Sequence, residues 1–69
     1  MTYDEAREWV ELRGGEVSRE LTGEDHFAWV VTVFSKEGQL SRSSEVDVDM
    51  RVGVIQCVDE LRRNYSHLK

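Results

Sequence analysis

The chain has 69 residues, a net charge of −5 and one cysteine, Cys57. A chain of this length makes one domain, residues 1–69, and buries only about 60% of its unfolded surface, so each large apolar side chain counts. A lone cysteine excludes an intramolecular disulfide and a multi-cysteine metal site, and no apolar run reaches the ~18 residues of a membrane span; a soluble, cytoplasmic protein is expected.

Thr2-Tyr3-Asp4-Glu5 has the spacing of a capping box, with Thr2 and Glu5 each bonding the other's amide, so a helix is predicted to open here. Tyr3, Ala6, Trp9 and Val10 fall on one side at helical spacing. Gly14-Gly15 supplies the stop, which gives a first helix over residues 3–13. Glu16 to Thr22 alternates Val17, Arg19 and Leu21 with polar residues and reads as a half-buried edge strand, closed by a turn at Gly23-Glu24-Asp25. "FAWVVTVF", Phe27 to Phe34, is apolar on both faces and rich in β-branched and aromatic residues, as a central strand should be. Ser35 to Gly38 is the next turn, and "QLSRSS" is a short polar third strand.

The stretch "EVDVDMRVGVI" carries two periods at once. Val46, Val48, Met50, Val52 and Val54 alternate as in a strand. Over a longer window, Val46, Met50, Val54, Cys57, Val58, Leu61, Tyr65 and Leu68 fall within an arc of about 120° at 100° per residue, which only a helix sustains. A helix from an N-cap at Ser44 is therefore predicted, with Arg62 and Arg63 at its negative end. Gly53 and the valines oppose it, and the third strand running on to about Val48 stays open as the alternative. On such a helix Val48, Val52 and Ile55 form a second apolar ridge opposite the main stripe.

The fold class that follows is α+β: α-β-β-β-α, a three-stranded antiparallel meander with two helices packed on one face. Either Phe27/Trp29/Val31/Val33 or Ala28/Val30/Thr32/Phe34 then faces outward. The first set is expected inside because it buries more area; a different register would expose Trp29. Apolar surface is left over in either case, and the candidate interface is the Val48, Val52, Ile55 ridge together with Val30, Thr32 and Phe34 of the sheet. Residues 1–25 hold eight carboxylates against Arg7, Arg13 and Arg19, while the remainder is balanced. An acidic third of this kind disfavours phosphate backbones and favours a basic protein surface as partner.

Helix, three strands and helix in about seventy residues, with "GEDHFAWVVTV" as a His-containing loop leading into the central strand, resembles the double-stranded-RNA-binding domain. That resemblance implies a fold, and an activity that depends on lysines at the start of the last helix. Here the matching stretch is "SSEVDVDMR", whose Glu45, Asp47 and Asp49 repel phosphate, so nucleic acid is not the expected partner. The chain is also similar in topology to small messenger-RNA-cleaving toxins that place a histidine after a glycine-led loop, as His26 follows Gly23-Glu24-Asp25; the serine that accompanies that histidine is missing.

Other site chemistry is thin. His26 and His67 with one buried cysteine make no zinc site, His67 lies in a tail expected to fray, and Glu24-Asp25 and Asp59-Glu60 are adjacent pairs whose side chains diverge. Trp9 and Trp29 read as core or interface anchors, because no basic residues are interleaved with them. No catalytic residue, cofactor or metal is assigned. The reading is a small acidic, non-catalytic module, regulatory or inhibitor-like, that binds another protein or a second copy of itself without contacting a membrane. The competing class is a nucleic-acid-binding or RNA-cleaving domain of the same topology.

Overall fold

The computed structural model describes residues 1–65, in the order α1 (Tyr3–Leu12), β1 (Glu16–Gly23), β2 (His26–Ser35), β3 (Gly38–Ser43) and α2 (Met50–Asn64). The expectations for His67 and Leu68 lie outside the described residues. The capping box at the start of α1 is complete: Thr2 Oγ1 accepts from the Glu5 amide at 3.1 Å and the Thr2 amide donates to Glu5 Oε1 at 2.8 Å. At the other end Gly14, at φ +63°, donates to the Glu11 carbonyl, and Gly15 donates to that of Val10. This is the paired left-handed stop that satisfies two orphan carbonyls. Gly15 is also a close-approach position, since a Cβ there would collide with the Thr32 carbonyl oxygen.

The sheet is antiparallel in the order β1-β2-β3. Two-residue turns close both hairpins. Asp25 takes φ +60° in the first, a bulge lies between Leu21 and Gly23, and Gly38 takes φ +103° after the second. This register sets Val17 opposite Val31 and Leu40 opposite Val33. Directly opposed residues share a face, so Val17, Phe27, Trp29, Val31, Val33 and Leu40 all lie on the helix side, as the larger-area choice anticipates.

Both helices pack there. Ala6, Trp9 and Val10 of α1, Val31 and Val33 of β2, and Val54, Cys57, Val58 and Leu61 of α2 form one buried cluster. β1 departs from its predicted half-buried character. Only Val17 is sheltered, while Arg19 and Leu21, farther along, project past the helices, and Leu21 is 75% exposed.

The helix predicted from an N-cap at Ser44 begins five residues later. Asp49 is the N-cap, its carboxylate accepting from the Arg51 amide at 3.0 Å, and Ser44–Asp49 runs alongside β2 instead. The reason is hydrogen bonding. β3 ends at Ser43 and would leave Trp29 and Phe27 unpaired on that side. The Ser44 amide reaches the Trp29 carbonyl at 2.7 Å and Ser44 Oγ takes the Trp29 amide at 2.9 Å. The Asp47 amide and carboxylate do the same for Phe27, at 2.8 and 3.2 Å. A regular ladder would put residue 46 there; the extra residue is absorbed by Asp47 at φ +60°, as in a bulge.

Gly53, which lowers helix propensity, is the seat of Trp29. A Cβ at Gly53 would stand 2.7 Å from Trp29 Cδ1, and the indole Nε1 donates to the Val48 carbonyl at 2.9 Å. Phe27 packs edge-on against the same ring, with centroids 5.6 Å apart.

Candidate protein-binding surface

The predicted Val48, Val52, Ile55 ridge does not form. Val48 belongs to the connection before α2 and is spent on capping Trp29; Ile55 leans on the core; Val52 is left 48% exposed by itself. The ridge needed α2 to begin at Ser44, and the demand of Phe27 and Trp29 for backbone partners prevents that. The alternation of valines that suggested two stripes arises from an extended segment joined to a helix.

The sheet half of the candidate surface is differently placed. The register puts Ala28, Val30, Thr32 and Phe34 on the face turned away from the helices, flanked by Glu16, Ser18 and Glu20 on β1 and by Gln39, Ser41 and Ser43 on β3. Among the described residues neither helix packs on this face. Phe34 is 52% exposed, Val30 and Thr32 are half-buried and Ala28 is buried, so an apolar central row lies between two polar ones. Thr32 Oγ1 and Ser41 Oγ are 3.0 Å apart across it.

Charge on the strands is segregated by face. Arg19 lies on the helix side over the Phe27 ring, 5.7 Å from its centroid, and Arg42 on that side over Tyr65 at 5.7 Å. Glu16 and Glu20 share the open face, on which the strands place no lysine or arginine. The sequence shows the acidic excess but not this sorting, because which residues share a face depends on register, and the bulge after Leu21 is invisible in a propensity pattern.

His26 pairs with Asp47 rather than with its neighbour Asp25: Nδ1 and Oδ2 are 2.6 Å apart. Asp47 also accepts from the Phe27 amide, and His26 and that amide together hold its carboxyl below the usual carboxylate range. Both side chains are about half-exposed. The pair clips the Ser44–Asp49 connection to the start of β2. Burial pushes the Cys57 thiol up to about 11, so it stays protonated, donating to the Trp29 carbonyl at 3.6 Å.

A further surface was not singled out from the sequence. Met1, Glu5, Glu8, Trp9, Leu12 and Arg62 line an open depression of about 390 Å³ between the helices, where Leu12 is 75% exposed. The signal was Leu12 itself, an apolar residue off the Tyr3, Ala6, Trp9, Val10 stripe. Trp9, stacked under Arg13 at 4.0 Å, belongs to the core, and its Nε1 is buried without a hydrogen-bond partner. Among the described residues no cluster of three or more His, Cys, Asp or Glu is placed to hold a metal ion, and no helix is long and apolar enough to cross a membrane. No family model matches the chain, and no curated protein or solved structure matches it.

Proposed function

We propose that the chain is a small acidic, non-catalytic module, regulatory or inhibitor-like, that binds a basic protein surface through the open face of its sheet. The observation that carries this reading is the accessible part of that face: Val30, Thr32 and Phe34 with Glu16 and Glu20 beside them and no strand lysine or arginine on that side. An apolar strip with one sign of charge at its rim excludes wrong partners and speeds encounter with the right one. A second copy of the chain is a partner of the same kind to be tested, and a cytoplasmic setting fits the buried, protonated Cys57.

The test compares capture from the native source by the wild-type chain and by the double variant Val30→Lys, Phe34→Ser, with light scattering on each. Loss of the captured basic protein, with the fold retained by circular dichroism, is the expected result. Capture of the same partner by both chains would remove the open face from consideration. A second reading, a nucleic-acid-binding or RNA-cleaving domain resembling the double-stranded-RNA-binding fold, draws on the close His26–Asp47 pair. It requires salt-sensitive binding of duplex or single-stranded RNA and an RNase activity lost in His26→Ala. On the first reading neither appears.

A further inference from the structure

We infer that the free edge of β1 takes up an extended segment of a basic partner protein as a fourth strand of the sheet; this gives the protein-binding reading a definite mode and rests on it. The direction of the backbone groups on β1 follows from bonds made elsewhere. Phe27 and Trp29 bond through both amide and carbonyl toward the β3 side, to Asp47 and Ser44, while the Phe34 amide bonds back to the Arg13 carbonyl on the β1 side. In an antiparallel ladder a residue's amide and carbonyl point the same way and successive residues alternate. Ala28, Val30 and Thr32 therefore bond to Glu20, Ser18 and Glu16, their register partners. The amides and carbonyls of Val17, Arg19 and Leu21 are left pointing away from the sheet, where no strand lies beside them among the described residues.

That edge is accessible, since every residue of β1 except Val17 is exposed. Natural sheets blunt such edges with charges, bulges or covering elements. Here the bulge comes only after Leu21, and no described element covers the row.

Side chains choose the occupant. Two-fold antiparallel pairing with a second copy keeps both pairs of helices on one side of the joined sheet, so it pairs odd positions with odd and even with even. Centred on Ser18 it sets Glu16 opposite the other copy's Glu20. Centred on Arg19 or on Glu20 it sets that residue opposite itself. Each of these three central registers opposes like charges, which destabilises a strand pair. A basic segment meets no such conflict. Glu16 and Glu20 lie four residues, about 13 Å, apart on the open face, with Val17, Arg19 and Leu21 on the other. The matching antiparallel segment reads apolar, basic, acidic, polar, apolar, basic, facing Leu21 through to Glu16. Its main chain supplies affinity and its alternate side chains supply selection.

The probe is the capped synthetic peptide Thr-Val-Lys-Glu-Ser-Val-Lys-Thr, titrated into the isotope-labelled full chain to about 1 mM, the concentration of a weak specific contact. The expected result is that the amides of Val17, Arg19 and Leu21, fast-exchanging in the free chain, shift and slow by about twofold, the limit at half occupancy, while those of Ser18 and Glu20 are already protected. Replacing both peptide lysines with Glu should weaken binding on the order of tenfold, and N-methylating its central Glu should abolish it. Arg19→Pro should block the peptide with β1–β2 pairing intact, because the Arg19 amide takes no part in that ladder. Should that variant not fold, the double variant Glu16→Lys, Glu20→Lys should invert the preference between the two peptides.

The proposal is overturned by any of three results: protection of the Val17, Arg19 and Leu21 amides in the free chain, equal or absent binding of both peptides, or shifts confined to Val30, Thr32 and Phe34. The last of these leaves the open-face reading standing, and the capture experiment with Val30→Lys, Phe34→Ser judges that reading separately.

Discussion

Gly53 shows how a residue's local preference and its tertiary role can oppose each other. Glycine inside a helix costs about 1 kcal/mol relative to alanine, so Gly53→Ala should stabilise α2 taken alone. In the folded chain the added methyl would meet Trp29 Cδ1 at 2.7 Å and its Cβ and Cγ at 3.1 Å. Trp29 is held by Phe27 on one side and by the Val48 carbonyl at its Nε1, so it cannot swing away without losing that bond. Overpacking of this kind costs about 1–3 kcal/mol and outweighs the propensity gain. Gly53→Ala should lower the urea midpoint; a raised midpoint would mean that the indole seat is soft. At Asp47 the sign can be read from pH. Its folded carboxyl is held below the ordinary value near 3.8 by His26 and the Phe27 amide. The stability it contributes is therefore present above that ordinary value and lost as pH falls through the depressed one. Asp47→Asn should flatten the acid limb of a stability-versus-pH curve in that window, and an unchanged limb would place the acid sensitivity elsewhere.

Elements whose cause is local were legible, and those whose cause is a neighbouring strand were not. The first helix could be read from Thr2 to Gly15 because its start, stripe and stop are all written within fifteen residues, and the central strand was plain from seven apolar residues among the eight of Phe27 to Phe34. The start of α2 was misplaced because Val46 and Met50 fit a helical stripe as well as an extended one. What decides between them is that β3 stops at Ser43 and leaves Phe27 and Trp29 without partners, a fact of pairing that no window along the chain contains. The candidate ridge fell with that boundary, whereas strand parity puts Val30, Thr32 and Phe34 on one face and the larger area of the Phe27, Trp29, Val31, Val33 set turns that face outward. The boundary has a mutational signature. With Asp49 as N-cap, Asp49→Ala removes the acceptor of the Arg51 amide and should cost about 1 kcal/mol. Inside a helix that began at Ser44, the same change would raise stability slightly, since alanine is the better helix former. Chemical denaturation of the single variant separates the two.

At the scale of the whole molecule, the core lies entirely between the helices and one face of the sheet, so the two faces should respond to truncation in opposite ways. Leu61, Val31, Val33, Val54 and Val58 are at most 1% exposed, and valines make up most of this cluster. At the usual 0.05–0.15 kcal/mol per residue, a chain of this length has a total stability of roughly 3–10 kcal/mol. Leu61→Ala removes a fully enclosed side chain and leaves a cavity in this cluster, at a cost of about 2–5 kcal/mol. That is a large part of the whole, and the variant should be extensively unfolded at 37 °C by circular dichroism. Phe34 has comparable apolar bulk but sits on the opposite face, half in water. Phe34→Ser should therefore change stability by less than about 1 kcal/mol and act on association instead, which is why it can serve as a binding variant. Comparable losses from both substitutions would mean that the open face is covered when the chain folds. The pair thus tests, with two thermal melts, whether the stability of this chain resides on one face of its sheet.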